Sequence, residues 1–261
     1  MRKRLWTILL TVFVFLSGTA LGLSTVYRVD TVTVNVTYVT AEAKTEGEFL
    51  QAQLEKAYEG SSTFFVKQKT AEEVLSDYPY FRVTGFEKSY PKRIVIDITE
   101  NAEVYAIEKT AGEEYYVLSA DGTVLDVRDN YINPLNGEEN VVLKGLTVVV
   151  KKGKIPTGDD CFSSVLSICQ EMSTILNGIR GNVMSVSLIR RSPEVVLAVE
   201  MREGVKIYIS APEQFTKEKA TTALTKYTSL SDNEKLGGRI LLFENSGEIY
   251  ADYSSVDEFV Q

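Results

Sequence analysis

The chain has 261 residues and a hydrophobic fraction of 44%, enough for one or two ordinary domains with packed cores beside a membrane anchor. Lys and Arg number 28 against 36 Asp and Glu, a net charge of −8. No dense basic stripe follows the first four residues, so a nucleic-acid partner is disfavoured. Histidine is absent, which excludes Ser-His-Asp and Cys-His triads and every His-containing metal site.

Arg2, Lys3 and Arg4 precede an uncharged stretch over residues 5–27, whose apolar heart runs from Leu5 to Leu16. About 23 helical residues at roughly 1.5 Å each span a hydrocarbon core of roughly 30 Å. The basic residues in front place the first four in the cytoplasm, and Trp6 and Tyr27 stand near the two ends, where amphipathic aromatics favour the interface. The expectation is an uncleaved anchor with the rest of the chain exported. The competing reading is a cleaved signal peptide, with Ser17-Gly18-Thr19-Ala20 supplying the small residues of a cleavage region.

Residues 29–39 alternate β-branched side chains, which predicts a strand. A helix opens at Thr45, with Phe49, Leu50, Leu54, Ala57 and Tyr58 as its apolar stripe, and Gly60 ends it. Thr70 and Glu73 fit the capping box of a second short helix, stopped at Tyr78-Pro79. Residues 82–88 and 94–99 read as strands joined by Ser89-Tyr90-Pro91-Lys92. From Tyr105 the pattern changes to short strands. Residues 114–118 and 123–125 flank the turn Ser119-Ala120-Asp121-Gly122, and a further strand-like stretch over 141–150 follows. A helix is expected over 161–177, then strands over 183–190, 195–201 and 205–210. A polar-faced helix over 213–227 leads to a last hairpin, 239–244 with 248–252, around Asn245-Ser246-Gly247.

Candidate chemistry is sparse. Cys161 and Cys169 on one helix would lie about 12 Å apart along its axis, beyond the roughly 7 Å that a disulfide tolerates, so they read as small buried side chains. Asp159-Asp160 reads as complementing a helix dipole rather than binding metal. Glu72-Glu73, Glu138-Glu139 and Arg190-Arg191 read as solvated, and Tyr115-Tyr116 as a strand pair facing opposite ways.

Leu75, Pro79-Tyr80, Val83, Phe86, Tyr90-Pro91, Ile94, Ile96, Ile98 and Glu100, followed by Val104-Tyr105-Ala106, resemble the bacterial cell-division family FtsQ, called DivIB in Gram-positive bacteria. The resemblance continues through residues 118–125 with their Asp-Gly turn, Leu143-Lys144-Gly145-Leu146, residues 203–209 and the Lys-containing stretch 217–226. Ser210 stands where the family commonly has Gly, Glu203 where it has Asn, and residues 239–243 only loosely echo its final strand.

The resemblance implies an α+β chain. A cytoplasmic tail (1–4) and a transmembrane helix (5–27) precede a POTRA domain (28–101) of order strand, helix, helix, strand, strand. A mixed β domain with two helices (102–253) and a C-terminal tail (254–261) complete it. It implies a bitopic divisome scaffold at the division septum, held to the cytoplasmic membrane by its N-terminal helix. Such a scaffold has no catalytic activity, cofactor, small-molecule substrate or nucleic acid. It binds FtsL-like and DivIC/FtsB-like proteins by strand pairing and helps to regulate septal peptidoglycan synthesis. The family's partner contact carries over onto Arg239, Ile240, Leu241, Leu242, Phe243, Ile249, Tyr250, Ala251 and Asp252. The alternatives are an exported, membrane-anchored cell-wall enzyme and a ligand-binding or sensor domain. The first would need Asp/Glu or Ser-Lys chemistry, and no Ser-x-x-Lys with its partner motifs is present.

Overall fold

The computed structural model describes residues 6, 10–15, 17, 22, 25–41, 43–110, 112–134, 136–191 and 194–256. The expected cytoplasmic tail, Gly18-Thr19-Ala20 of the cleavage region and residues 257–261 of the C-terminal tail lie outside them. Among the described residues no helix is long and apolar enough to cross a membrane. This corrects the transmembrane helix expected over 5–27, much of which also falls outside the described residues. The sequence supplies a physical reason. The strongly apolar run stops at Leu16, and about 12 residues at roughly 1.5 Å cover only about 18 Å. Ser17, Gly18, Thr19, Gly22, Ser24 and Thr25 dilute the remainder.

The chain divides into two compact units, one ending at Asn101 and the other starting at Ala102. In the first, β1 (Thr31–Thr37), α1 (Lys44–Tyr58), α2 (Gln68–Val74), β2 (Phe81–Ser89) and β3 (Arg93–Glu100) form a three-stranded sheet of order β1-β3-β2. β1 runs parallel to β3 and β2 antiparallel to it. Alternation puts Ile94, Ile96 and Ile98 of β3 on the core face, against Leu50, Leu54 and Tyr58 of α1 and Ala71 of α2. The stripe of α1 is Gly47, Leu50, Leu54 and Tyr58. Phe49 and Ala57, expected on it, are exposed because each lies about 100° around the helix from a core position. Gly47 belongs to the stripe because a Cβ there would come within 2.4 Å of the Tyr38 ring. α2 starts at Gln68, with Lys67 as N-cap and no side-chain cap, so the Thr70–Glu73 capping box does not form. Glu100 is buried and accepts hydrogen bonds from Val39 N–H (2.7 Å), Thr40 N–H (2.8 Å) and the Thr40 hydroxyl (2.6 Å), tying the end of β1 to the end of β3.

The second unit is a nine-stranded mixed sheet with two long helices on one face. Its strands are β4 (Glu103–Thr110), β5 (Glu114–Ser119), β6 (Val124–Arg128), β7 (Val141–Lys144), β8 (Val183–Arg191), β9 (Glu194–Met201), β10 (Lys206–Ser210), β11 (Arg239–Asn245) and β12 (Glu248–Ser254). Their order is β12-β11-β10-β9-β8-β7-β4-β5-β6. α3 (Phe162–Ile175) and α4 (Thr216–Ser229) share one core with the inward residues of these strands. A short α5 (Asp232–Lys235), unforeseen in the sequence, carries a capping box of Ser231 and Glu234. β7 ends at Lys144 rather than running on to Val150. Gly145 turns the chain at φ +75°, in a space where a Cβ would lie 2.3 Å from the Leu188 carbonyl. Tyr115 and Tyr116 face opposite ways: Tyr115 stacks edge-on with Tyr131 at 5.5 Å, while Tyr116 packs against the main core.

Candidate functional site

The last two strands are built from local signals. Ser246 and Gly247 both take positive φ (56° and 82°), the conformation of a two-residue type I′ turn, and Asn245 pairs with Glu248 across it. Gly238, at φ +85°, lets β11 start hard against the end of β12, where a Cβ would lie 2.4 Å from the Ser254 carbonyl. The Tyr253 hydroxyl donates to the Glu234 carbonyl (3.0 Å), fixing the end of β12 to α5.

Where the hairpin sits depends on a non-local event. After β10 the chain crosses through α4 and returns as β11, parallel to β10 with Ile207 opposite Ile240. β11 is therefore interior, and β12 closes the sheet at one end. Among the described residues no strand pairs with the outer side of β12. At the opposite end, β6 is partly covered, because Val124 exchanges backbone hydrogen bonds with Lys154 and Gly153 (3.0 and 2.8 Å). β12 thus presents the barer edge of this sheet, with main-chain groups in strand geometry.

Period-two alternation divides the nine expected contact residues between the two faces. Ile240 and Leu242 are buried in the core, and Ile249 and Ala251 pack against it. Leu241, Phe243, Tyr250 and Asp252 face the other way, and Phe243 and Tyr250 stack with ring centroids 5.6 Å apart and planes at 18°. Their exposures of 50% and 42% leave this pair open to solvent. Arg239 is half-buried at the foot of β11, its Nε enclosed without a hydrogen-bond partner. Glu248, not singled out from the sequence, adds a carboxylate on the same face as the pair, while Glu244 follows the alternation of Ile240 and Leu242 to the other face. Glu248 accepts the Tyr250 hydroxyl and raises its phenol above the ordinary range. Period-two spacing of Glu248, Tyr250 and Asp252 in the last strand was the signal that these three share a face.

The other candidates resolve into structural roles. Cys161 and Cys169 are free thiols, and burial pushes that of Cys169 up to about 12. Asp159 sits under the loop before α3 and accepts Thr147 N–H (2.8 Å), Cys161 N–H (3.0 Å) and Arg190 (2.6 Å). Glu138 and Glu139 are open to solvent, as expected, and also pair with Arg180 and Arg202. Arg190, expected in a solvated turn, also donates to the Gly145 carbonyl (2.5 Å). Among the described residues no three His, Cys, Asp or Glu side chains are placed to hold a metal ion.

No protein-family model matches the chain. It is 23% identical over 183 residues to the cell division protein DivIB of Clostridium acetobutylicum, covering 69% of this chain and 68% of that protein. This distant similarity supports kinship with the FtsQ/DivIB family and a role in cell division.

Proposed function

We propose that this chain is a non-catalytic divisome scaffold whose second unit captures FtsL-like or DivIC/FtsB-like proteins by adding a partner strand to β12. In this reading the first unit is a POTRA domain. The protein acts at the division septum and helps to regulate septal peptidoglycan synthesis. The observation that carries the proposal is the bare β12 edge, with Phe243 and Tyr250 stacked and exposed beside it. An incoming strand would satisfy the outward main-chain groups, and its alternate side chains would meet the aromatic pair and the carboxylates of Glu248 and Asp252. Similarity to a cell division protein supports the choice of partners.

The test is binding of the full chain to a purified septal DivIC-type protein, measured by biolayer interferometry. Tyr250→Ser and Asp252→Lys change exposed side chains, so both variants should melt as the parent does and bind roughly tenfold or more weakly. Parent-like affinity in both variants would place the contact elsewhere. No binding by the parent would remove the scaffold reading.

A further inference from the structure

We propose that the tip of the first unit formed by Tyr27, Phe64, Phe65 and Tyr90 seats in the interfacial layer of an anionic phospholipid bilayer. Three chain segments meet there. The Tyr27 ring lies 4.3 Å from Phe64 and 6.2 Å from Tyr90, and Phe64 lies 5.6 Å from Tyr90. Beneath them, buried Thr63 ties the segments together. Its N–H donates to the Tyr27 carbonyl (2.8 Å), and its hydroxyl lies 2.8 Å from that carbonyl and 2.5 Å from the Pro91 carbonyl. The rings are thus held by the backbone, yet Phe64, Phe65 and Tyr90 are 50%, 82% and 56% exposed. A Phe that contributes so little to its own core is explained by something outside the chain.

The charge around the tip selects the occupant. In a molecule of net charge −8, residues 60–69 and 88–93 hold Lys67, Lys69, Lys88, Lys92 and Arg93 and no Asp or Glu, with Arg28 beside them. Lys69 is paired with Glu73, and Asp30, whose N–H donates to the Lys92 carbonyl (2.9 Å), is the acidic residue that adjoins this set, with Glu59 and Glu87 just outside. Lys88 donates to the Phe64 carbonyl (3.3 Å), which sets one cation directly at the aromatic cluster. Aromatic rings that insert at the headgroup level, ringed by cations that meet anionic headgroups, form the pattern of an interfacial lipid site. The sequence leading into Tyr27 has no charge from residue 5 onward, and Trp6, Leu10, Phe13 and Phe15 within it are exposed. The uncharged stretch is thus continuous in sequence with the tip, which favours a lipid partner over a soluble acidic protein. Lipid seating of this tip requires neither the β12 edge nor a helix that crosses the bilayer.

The test uses the full chain carrying Trp6→Phe and Phe65→Trp, which leaves one tryptophan, at the tip. It is mixed with phosphatidylcholine vesicles with and without phosphatidylglycerol, containing lipids brominated near the headgroup. The expected result is a blue shift and quenching with the anionic vesicles. Both should fall roughly tenfold or more when Lys67, Lys92 and Arg93 are all changed to Gln, or in high salt. Four results would each overturn the proposal. One is an unquenched reporter on vesicles that pellet the protein, and a second is failure to pellet at all. The third is quenching indifferent to charge. The last is a blue shift that grows with protein concentration in the absence of lipid, which would assign the tip to a second copy of the chain. Because these side chains are exposed, the variants should keep the parent's melting temperature, and a DivIC-type partner should bind them as it binds the parent.

Discussion

Asp159 shows how much one side chain can organise. Its carboxylate is nearly enclosed, and burial alone would raise its pKa. The Thr147 N–H, the Arg190 guanidinium and the Cys161 N–H together outweigh that and hold the group below its ordinary value of 3.8. A carboxyl lowered in the folded state contributes stability that is present above the unfolded value and lost as pH falls through the folded one. Asp159→Asn keeps the shape but removes the charge facing Arg190. It should cost about 1–3 kcal/mol at neutral pH, the discount for half-exposed Arg190 included. The difference in melting temperature between parent and variant should shrink as both are titrated below pH 3.8. A difference that stays constant to pH 2.5 would mean that shape, not charge, matters here. None of this was legible in the sequence: Asp159 and Arg190 are 31 residues apart, and only the fold brings the loop before α3 against the end of β8.

At the scale of the element, local signals placed most strands and helices, and non-local ones moved their ends. α4 was expected from residue 213 but begins at Thr216, because Ala211 and Phe215 take positive φ and Lys219 reaches back to the Ser210 and Ala211 carbonyls (2.8 and 2.7 Å). Those contacts fix how the chain leaves β10, and so where β11 re-enters the sheet. The hairpin's alternation and its Asn-Ser-Gly turn were readable. That its second strand would be the sheet edge was not, since that depends on the parallel β10–β11 pairing through α4. Gly238 is where this geometry is most exposed to a single substitution. In Gly238→Ala the new methyl would press on Ser254 and the residue would hold φ +85°, so the change should cost about 1–3 kcal/mol. Gly181→Ala, at a position with ordinary φ and nothing within 4 Å, should cost far less. Amide exchange in β12 should accelerate in the first variant only. Equal rates in both would show that the Gly238–Ser254 approach does not hold the edge strand in place.

Across the whole molecule, each unit has its own core, and buried phenols stand in both. Tyr58 lies in the first, where its hydroxyl donates to the Lys67 carbonyl (2.7 Å); Tyr105 and Tyr227 lie in the second, where Tyr227 donates to Glu203. Burial raises all three above the ordinary value of 10.0, and the Glu203 carboxylate raises Tyr227 further. The sign follows from proton counts. Above pH 10 the unfolded chain gives up phenolic protons that the folded chain keeps, so stability is full below the unfolded value and falls as pH rises toward the folded ones. Lys219 works the other way: burial lowers its pKa from 10.5, so raising the pH toward that value relieves a cost. One lysine against three phenols leaves a net loss. The urea midpoint should therefore be flat from about pH 7 to 9 and fall between about pH 10 and 12. Tyr227→Phe should be less stable at pH 8, where it lacks the bond to Glu203, and lose less between pH 9 and 11.5. A parent midpoint unchanged up to pH 12 would mean that these phenols ionise without unfolding the chain, and that the cores are more open to water than the packing around Tyr58, Tyr105 and Tyr227 indicates.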